Sequence, residues 1–470
     1  MENKRQIIHI SMAAFALLLA FLTRWQALAC AVAAFLFNWL AMPRIARGTL
    51  RPEEKQKGYS TGMLMYCVSV FLLILVFPAR IAAGAWAVMA FGDGFASLIG
   101  VRFGKTKLGW NPNKSRAGFA AFIIAGTTGA FAFMFFINHY ICIVHYEMPQ
   151  LLSHPGELLA LALLASVAAA FAESLDIKLN DNFTVPMAAG LTLWLGGMIT
   201  ATSLPWIPAH ILPALAANAA MALLSYKLKA VDLSGAIGGF VIGVAIYYFG
   251  GYQAYAILLL FFIIGTACSK IGRKVKESQG IAQEKGGRRG LKNALANCLP
   301  GAAFIIVYGS VSHHAYSSTI YLAAVAYTAC FAAVLADTVS SEIGQVFGKR
   351  PVLITTFKSV PAGANGGITL TGTLAGMAAA TLLSLCAMWL GLFEFADLWL
   401  PITGAFIGMN LDSLLGATLE NNGIIDNEFV NFCCGMSAGL ACALVFNFLI
   451  YACSGPIDIF QLFSYCLPFN

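Results

Sequence analysis

The sequence predicts an all-α, polytopic integral membrane protein of about 15 transmembrane helices, arranged as two tandem repeat units of parallel orientation. Three observations carry this reading. The 470 residues are 59% hydrophobic and only 10% charged, with a mean hydropathy of +0.78. Apolar runs close to the ~20 residues that cross a bilayer as a helix recur along the chain. The Lys and Arg residues gather in alternate loops, the pattern of a membrane protein with a fixed orientation.

Taken in order, the apolar segments fall near 7–22, 25–42, 59–77, 79–100, 117–138, 157–177, 183–202 and 206–226. The series continues near 232–248, 252–271, 291–310, 320–345, 368–392, 398–419 and 430–452. No polar–apolar alternation of an outer-membrane barrel is present. The first segment is followed at once by another span and has no small-residue cleavage site, so it is expected to be retained. With the N-terminus inside, all of the 28 Lys and Arg residues except Arg24 and Arg80 fall on the inner side. The expected location is therefore a bacterial inner membrane, with the N-terminus cytoplasmic. The net charge of +7 is this loop bias and carries no signal for nucleic acid. The twelve cysteines form no C-x-x-C pair, and His313–His314 lacks the spacing to acids that a metal site needs.

The chain repeats itself at an offset of 244 residues. Asp93/Asp337, Ser97/Ser341, Ile99/Ile343, Gly100/Gly344, Phe103/Phe347, Gly104/Gly348, Lys105/Lys349, Lys114/Lys358 and Ser115/Ser359 coincide without a gap. Further on, "ESLDIKLNDNFTV" (173–185) parallels "DSLLGATLENNGIIDNEFV" (412–430), each an acid-Ser-Leu followed by Asp-Asn. These matches predict two units, 1–230 and 231–470, whose sites face the same compartment.

Each unit places three kinds of residue at the inner face. Acids stand in or beside apolar helices: Asp93, Glu173, Asp176 and Asp181, then Asp337, Glu342, Asp412 and Asp426. Such a charge costs on the order of 3 kcal/mol in a membrane, so it is expected to have a partner or a metal. Cations follow at fixed distance: Arg102, Lys105, Lys114 and Arg116, then Lys349, Arg350 and Lys358. Glycines allow close backbone approach: Gly100 and Gly104, then Gly344, Gly348 and the run "PAGANGG" with Asn365 and Gly366. Carboxylates beside Lys and Arg are what a magnesium–triphosphate complex requires. The spacing is not that of a P-loop. Asn111, Pro112 and Asn113 read as turn residues.

The first unit, D-x-x-A-S-x-x-G-x-x-F-G-K with the later Lys114–Ser115 and D-N-x-T-V-P, resembles the CTP-dependent prenyl alcohol kinases, dolichol kinase and phytol kinase. The second resembles the phytyl-phosphate kinase family through "KESQGIAQEKGGRRGLKNALAN" (276–297), "DTVSSEIGQVFGK" (337–349), "ITTFKSVPAGANGGITLTGTLAG" (354–376) and "NLDSLLGA" (410–417). The loop "RGTLRPEEKQKGYSTG" departs from the phytol kinase pattern by lacking its Arg-Lys-x-x-His. The resemblance implies that one half makes an isoprenoid monophosphate from the alcohol and the other makes the diphosphate. CTP is the implied donor, with ATP satisfying the same charges, and Mg²⁺ the implied cofactor. In this reading Asp93 and Asp337 hold the metal with Asp176, Asp181, Glu342 and Asp426. Lys105, Lys114, Lys349 and Lys358 face the transferring phosphoryl group, and Glu173 and Asp412 take a second metal or a proton. Arg102, Gly104, Ser115, Arg116, Gly348, Arg350, Ser359, Asn365, Gly366, Arg288 and Arg289 bind nucleotide or phosphate. Loop 270–292 holds eight cations against two acids, whereas loop 42–58 holds five against two, which suits a second substrate that already carries a phosphate. Transfer of CMP, as in the phosphatidate cytidylyltransferases, and ion-coupled transport are the other classes open to these residues.

Overall fold

A computed structural model describes residues 6, 9–45, 59–109, 111–145, 155–174, 180–198, 207–272, 276, 288–311 and 318–454. Apart from one small hairpin, the described chain is helical. It divides into two compact units, Met1–Thr200 and Ala201–Cys466.

In the first unit a 3-10 segment, Met12–Ala20, precedes α1 (Arg24–Leu40) and α2 (Thr61–Val76). Thr23 starts α1 with a reciprocal cap: the Gln26 amide donates to Thr23 Oγ1 at 3.3 Å, and the Thr23 amide donates to Gln26 Oε1 at 2.9 Å. Pro78 precedes α3 (Ala79–Phe103), a stretch that changes to π-helical winding over Val88–Asp93. The unit closes with α4 (Arg116–His145), α5 (Pro155–Ser174) and α6 (Asp181–Met198). The centre is α3, where Ile81–Ala90 is buried throughout, as a helix apolar on all sides must be. Small residues set its approach to its neighbours. A Cβ on Gly84 would lie 2.7 Å from Met134 of α4 and 3.0 Å from Leu193 of α6.

The second unit comprises α7 (Ile207–Lys227), α8 (Leu233–Lys270), α9 (Leu291–Val311), α10 (Ser318–Phe347), α11 (Leu370–Trp389), α12 (Trp399–Leu415) and α13 (Asn427–Ser454). The two spans expected at 232–248 and 252–271 form α8, which breaks at Gly251 (φ 67, ψ −169), a conformation only glycine adopts without strain. At the centre stands α10, with 83% of its membrane-length window buried against α8, α9, α11, α12 and α13. Gly404 and Gly408 of α12 seat that helix against α13 and α10: Cβ atoms there would lie 2.6 Å from Cys442 Sγ and 2.8 Å from Ala333 Cβ. Helix α7 packs on α8, so the compact division falls before the boundary expected near Ala230.

Among the described residues, nine helices are long and apolar enough to cross a membrane. The difference from the fifteen expected segments has local causes. The two halves of α8 count once. Shorter apolar helices occupy His9–Ala20, Gly62–Val76 and Ile211–Lys227. With 17 residues, α1 spans about 26 Å, below the ~30 Å of a bilayer core. The 18-residue α6 opens with Asp181 and Asn182, which lower its hydropathy.

Candidate functional site

In the first unit Asp93 ends the π-helical turn of α3, a local winding often found where a helix serves a site. The loop after α3 begins where the Gly104 amide donates to the Gly100 carbonyl at 3.0 Å. No side chain fits at Gly104: a Cβ would lie 2.1 Å from the Gly100 carbonyl oxygen and 2.5 Å from Ser115 Oγ. The chain then makes a narrow turn. The Leu108 amide donates to the Lys114 carbonyl at 3.0 Å and the Arg116 amide to that of Thr106 at 2.9 Å. Ser115 pairs with Lys107 across this turn and also caps α4, accepting from the Gly118 amide at 3.1 Å.

Asn111 fixes the turn in space. Its buried side chain donates to the Ser174 carbonyl at 3.0 Å, tying the turn to the end of α5. This brings the Lys114 ammonium onto Glu173, with Asp181 at the start of α6 3.5 Å away. Asp93 lies within electrostatic range of all three. Burial pulls the Lys114 ammonium down, but Glu173, Asp181 and Asp93 together outweigh that pull and hold its pKa above the ordinary value. His9 adds a partner that the sequence reading did not assign. Its Nε2 lies 3.5 Å from Asp93 Oδ2, and its ring meets Tyr66 edge-on at 5.1 Å, while the Trp86 indole donates to the Tyr66 hydroxyl at 2.6 Å. Arg102, Lys105 and Arg116 are exposed around this cluster, and the Arg102 guanidinium lies over the Phe103 ring. Asp176 lies outside the described residues.

The second unit repeats much of this geometry. The Gly348 amide donates to the Gly344 carbonyl at 2.9 Å, the Leu353 amide to that of Lys358 at 2.9 Å, and the Val360 amide to that of Pro351 at 3.0 Å. Here the two jobs of Ser115 are divided. Ser359 pairs across the turn, with Val352, whereas Thr369 caps α11 by accepting from the Gly372 amide at 3.1 Å. Between them the run 361–367 folds back, so that β1 (Val352–Leu353) also pairs antiparallel with β2 (Gly367–Ile368). Gly366 (φ 74) presses this run onto the end of α12, where a Cβ would lie 2.6 Å from the Ala417 nitrogen and from the Ser413 carbonyl oxygen. Asn365, Lys349, Arg350, Lys358 and Ser359 are exposed.

Asp337 of α10 and Asp412 of α12 face one another closely enough to interact, with Glu420 in electrostatic range of both. Two carboxyl groups this close must share a proton or a cation. Asp412 Oδ2 is buried with no hydrogen-bond partner among the described residues. Among the described residues no ammonium pairs with Asp337 or Asp412 as Lys114 does with Glu173. Glu342 is engaged by the buried ammonium of Lys276, which also donates to the Ser269 carbonyl at 3.2 Å. Asp426 caps α13, accepting from the Phe429 amide at 3.0 Å. Arg288 is exposed, and Arg289 turns inward over the Phe261 ring. Among the described residues no three His, Cys, Asp or Glu side chains converge as a ready-made metal cage. The Asp337–Asp412 pair nonetheless suits Mg²⁺, which binds through one or two carboxylates and completes its shell with water and phosphate oxygens.

Helical units carrying acids inside them define a polytopic integral membrane protein. Its family is shown directly: the chain belongs to the integral membrane protein family DUF92, whose model matches residues 216–451. An uncharacterized membrane protein of Synechocystis sp. is 37% identical over 231 residues, covering 48% of this chain and 86% of the relative. The CTP-dependent diacylglycerol kinase 1 of Schizosaccharomyces pombe is 29% identical over 170 residues, 34% of this chain and 72% of its own length. A probable phytol kinase of Triticum aestivum is 33% identical over 145 residues, 30% of this chain and 46% of its own length. No solved structure matches the chain.

Proposed function

We propose that this protein is a membrane lipid kinase with two active units. The first phosphorylates an isoprenoid alcohol and the second phosphorylates the resulting monophosphate, with CTP as donor. The observation that carries the reading is the recurrence, in each unit, of an aspartate on the central helix, a Gly–Gly turn and a capped helix, with a second acid facing that aspartate. The recurrence supports a tandem duplication in which residues 360–369 are an insertion of the second copy. The CTP-dependent and phytol kinase names among the relatives support the donor and the substrate class. The even count between the copies among the fifteen segments read from the sequence supports sites on one side of the membrane, the cytoplasmic side by the positive-inside pattern.

In the first unit the alcohol oxygen attacks the γ-phosphorus of CTP, CDP leaves, and a carboxylate of the Asp93–Glu173–Asp181 cluster receives the hydroxyl proton. Lys114 balances the charge of that cluster. In the second unit the attacking oxygen already belongs to a phosphate, so the site needs positioning and charge neutralisation more than a base. Asp337 and Asp412 would hold Mg²⁺, and Asp93 and Asp181 would do so in the first unit. The ion supplies neutralisation of the triphosphate charge when bound. Lys276 holds Glu342 in place beside the second pair. Lys105, Lys349, Lys358 and the neighbouring arginines lie exposed at the mouths of the two sites, where a nucleotide arrives from water.

The test uses purified protein in detergent with Mg²⁺, geranylgeraniol or its monophosphate, and CTP labelled at either the α or the γ phosphate. Label from the γ position in both lipid mono- and diphosphate is expected. Label from the α position in the lipid would mean a cytidylyltransferase and would overturn the reading.

A further inference from the structure

A cleft in the second unit lies between α7, both halves of α8 and the start of α9; it has a cavity volume of about 100 Å³ and opens to the exterior. Its walls are mostly apolar along α8, with Tyr255 and Phe261 on one side; Arg289 and Asn293 mark one end, and Asn218 of α7 lines the far end. At the first end Arg289 enters beside Gly265, where a Cβ would lie 3.0 Å from the guanidinium, and the guanidinium lies 5.9 Å from the Phe261 ring centroid. No carboxylate pairs with Arg289 among the described residues, and the nearby Asn293 side chain forms no hydrogen bond among them. A cation held in a largely apolar cleft without an ion pair calls for an anionic ligand, because burial alone disfavours its charge.

The cleft runs from Arg289 along the α8 positions 235 to 242, about 10 Å at the helical rise. Its Arg289 end is electrostatically continuous with the acid pair: Glu342 acts on both Arg289 and Asp337. We infer that this cleft binds the second unit's lipid substrate, an isoprenoid monophosphate, with the phosphate on Arg289 and Asn293 and the prenyl chain along α8. The inference rests on the two-step kinase reading and adds to it where the phosphorylated lipid sits before transfer. The neighbouring ion pair has a place in this account, since Lys276 holds Glu342 and keeps that carboxylate from competing for Arg289.

Gly239 provides the test. It lines the cleft, and a Cβ there meets no atom within 4 Å, so Gly239→Phe starts a bulky side chain into the cleft from an open position and with a better helix former. The first readout is equilibrium binding of labelled geranylgeranyl monophosphate to the purified full chain without nucleotide or Mg²⁺. The second is KM for phosphorylation of geranylgeranyl and of dimethylallyl monophosphate. Gly239→Phe is expected to weaken binding and raise KM at least tenfold for the long lipid while sparing the short one. Arg289→Gln should weaken both. Unchanged lipid binding in both variants, with kinase activity intact, would overturn the cleft and leave the kinase reading standing. Arg289-dependent binding without any phosphoryl transfer would support the cleft and overturn the kinase reading. Equal competition by phosphatidic acid would make this a phospholipid site and overturn the substrate assignment.

Discussion

Replacing Lys276 by Met removes the ammonium from Glu342 while leaving that carboxylate buried: the two side chains are 5% and 6% exposed. Removing one member of such a pair costs about 3–5 kcal/mol, because the remaining charge keeps its desolvation penalty and loses its attraction. That corresponds to roughly 10²–10⁴ in the ratio of folded to unfolded protein. Replacing both members by apolar groups of similar volume is close to neutral, so Lys276→Met/Glu342→Leu should return to within about 1 kcal/mol of the parent. Equilibrium unfolding of the detergent-solubilised protein, followed for the parent, both single variants and the double variant, measures the cycle. The double variant should also keep detectable conversion of monophosphate to diphosphate, since Glu342 is read as a partner of Lys276. A single-variant cost below ~1 kcal/mol would refute the buried-pair reasoning. A stable double variant with no second-step activity would return Glu342 to the metal ligands.

Thr369→Ala should destabilise the second unit by about 1 kcal/mol through loss of the α11 cap, with Thr369→Ser near neutral. Ser359→Ala, which touches no helix start, should cost less by the same unfolding measurement. Gly366→Ala should cost at least ~1–2 kcal/mol from its left-handed backbone alone, before its contact with the Ala417 nitrogen is counted. Its signature is loss of diphosphate formation with monophosphate formation retained, read from product ratios by chromatography.

The helical, membrane-spanning character was legible in the sequence because burial in lipid demands unbroken apolar stretches, and nine of the described helices are long and apolar enough to cross a membrane. The break at Gly251 was legible too, as a gap between two runs. The acids Asp93, Glu173, Asp337 and Asp412 stood out because a charge in an apolar segment has few neutral explanations. Their partners did not stand out. Nothing in the spacing of Asn111 says that its amide reaches the Ser174 carbonyl, 63 residues away. His9 meets Asp93, and Lys276 meets Glu342, only through helix packing. In the proposed duplication Ser115 and Ser359 hold equivalent turn positions, whereas the helix cap is Ser115 in the first unit and Thr369 in the second. Insertions are absorbed where backbone bonds can be redistributed, and identity counts do not register that.

The central claim is that one chain carries two separable phosphoryl-transfer sites, and Asp93→Asn and Asp337→Asn test it most directly. Each variant, confirmed as folded, is given geranylgeraniol or geranylgeranyl monophosphate with CTP and Mg²⁺. Asp93→Asn is expected to leave the alcohol unreacted while converting supplied monophosphate to diphosphate, and Asp337→Asn to accumulate monophosphate from the alcohol. Loss of both steps in either folded variant, or of neither step in both, would contradict that claim.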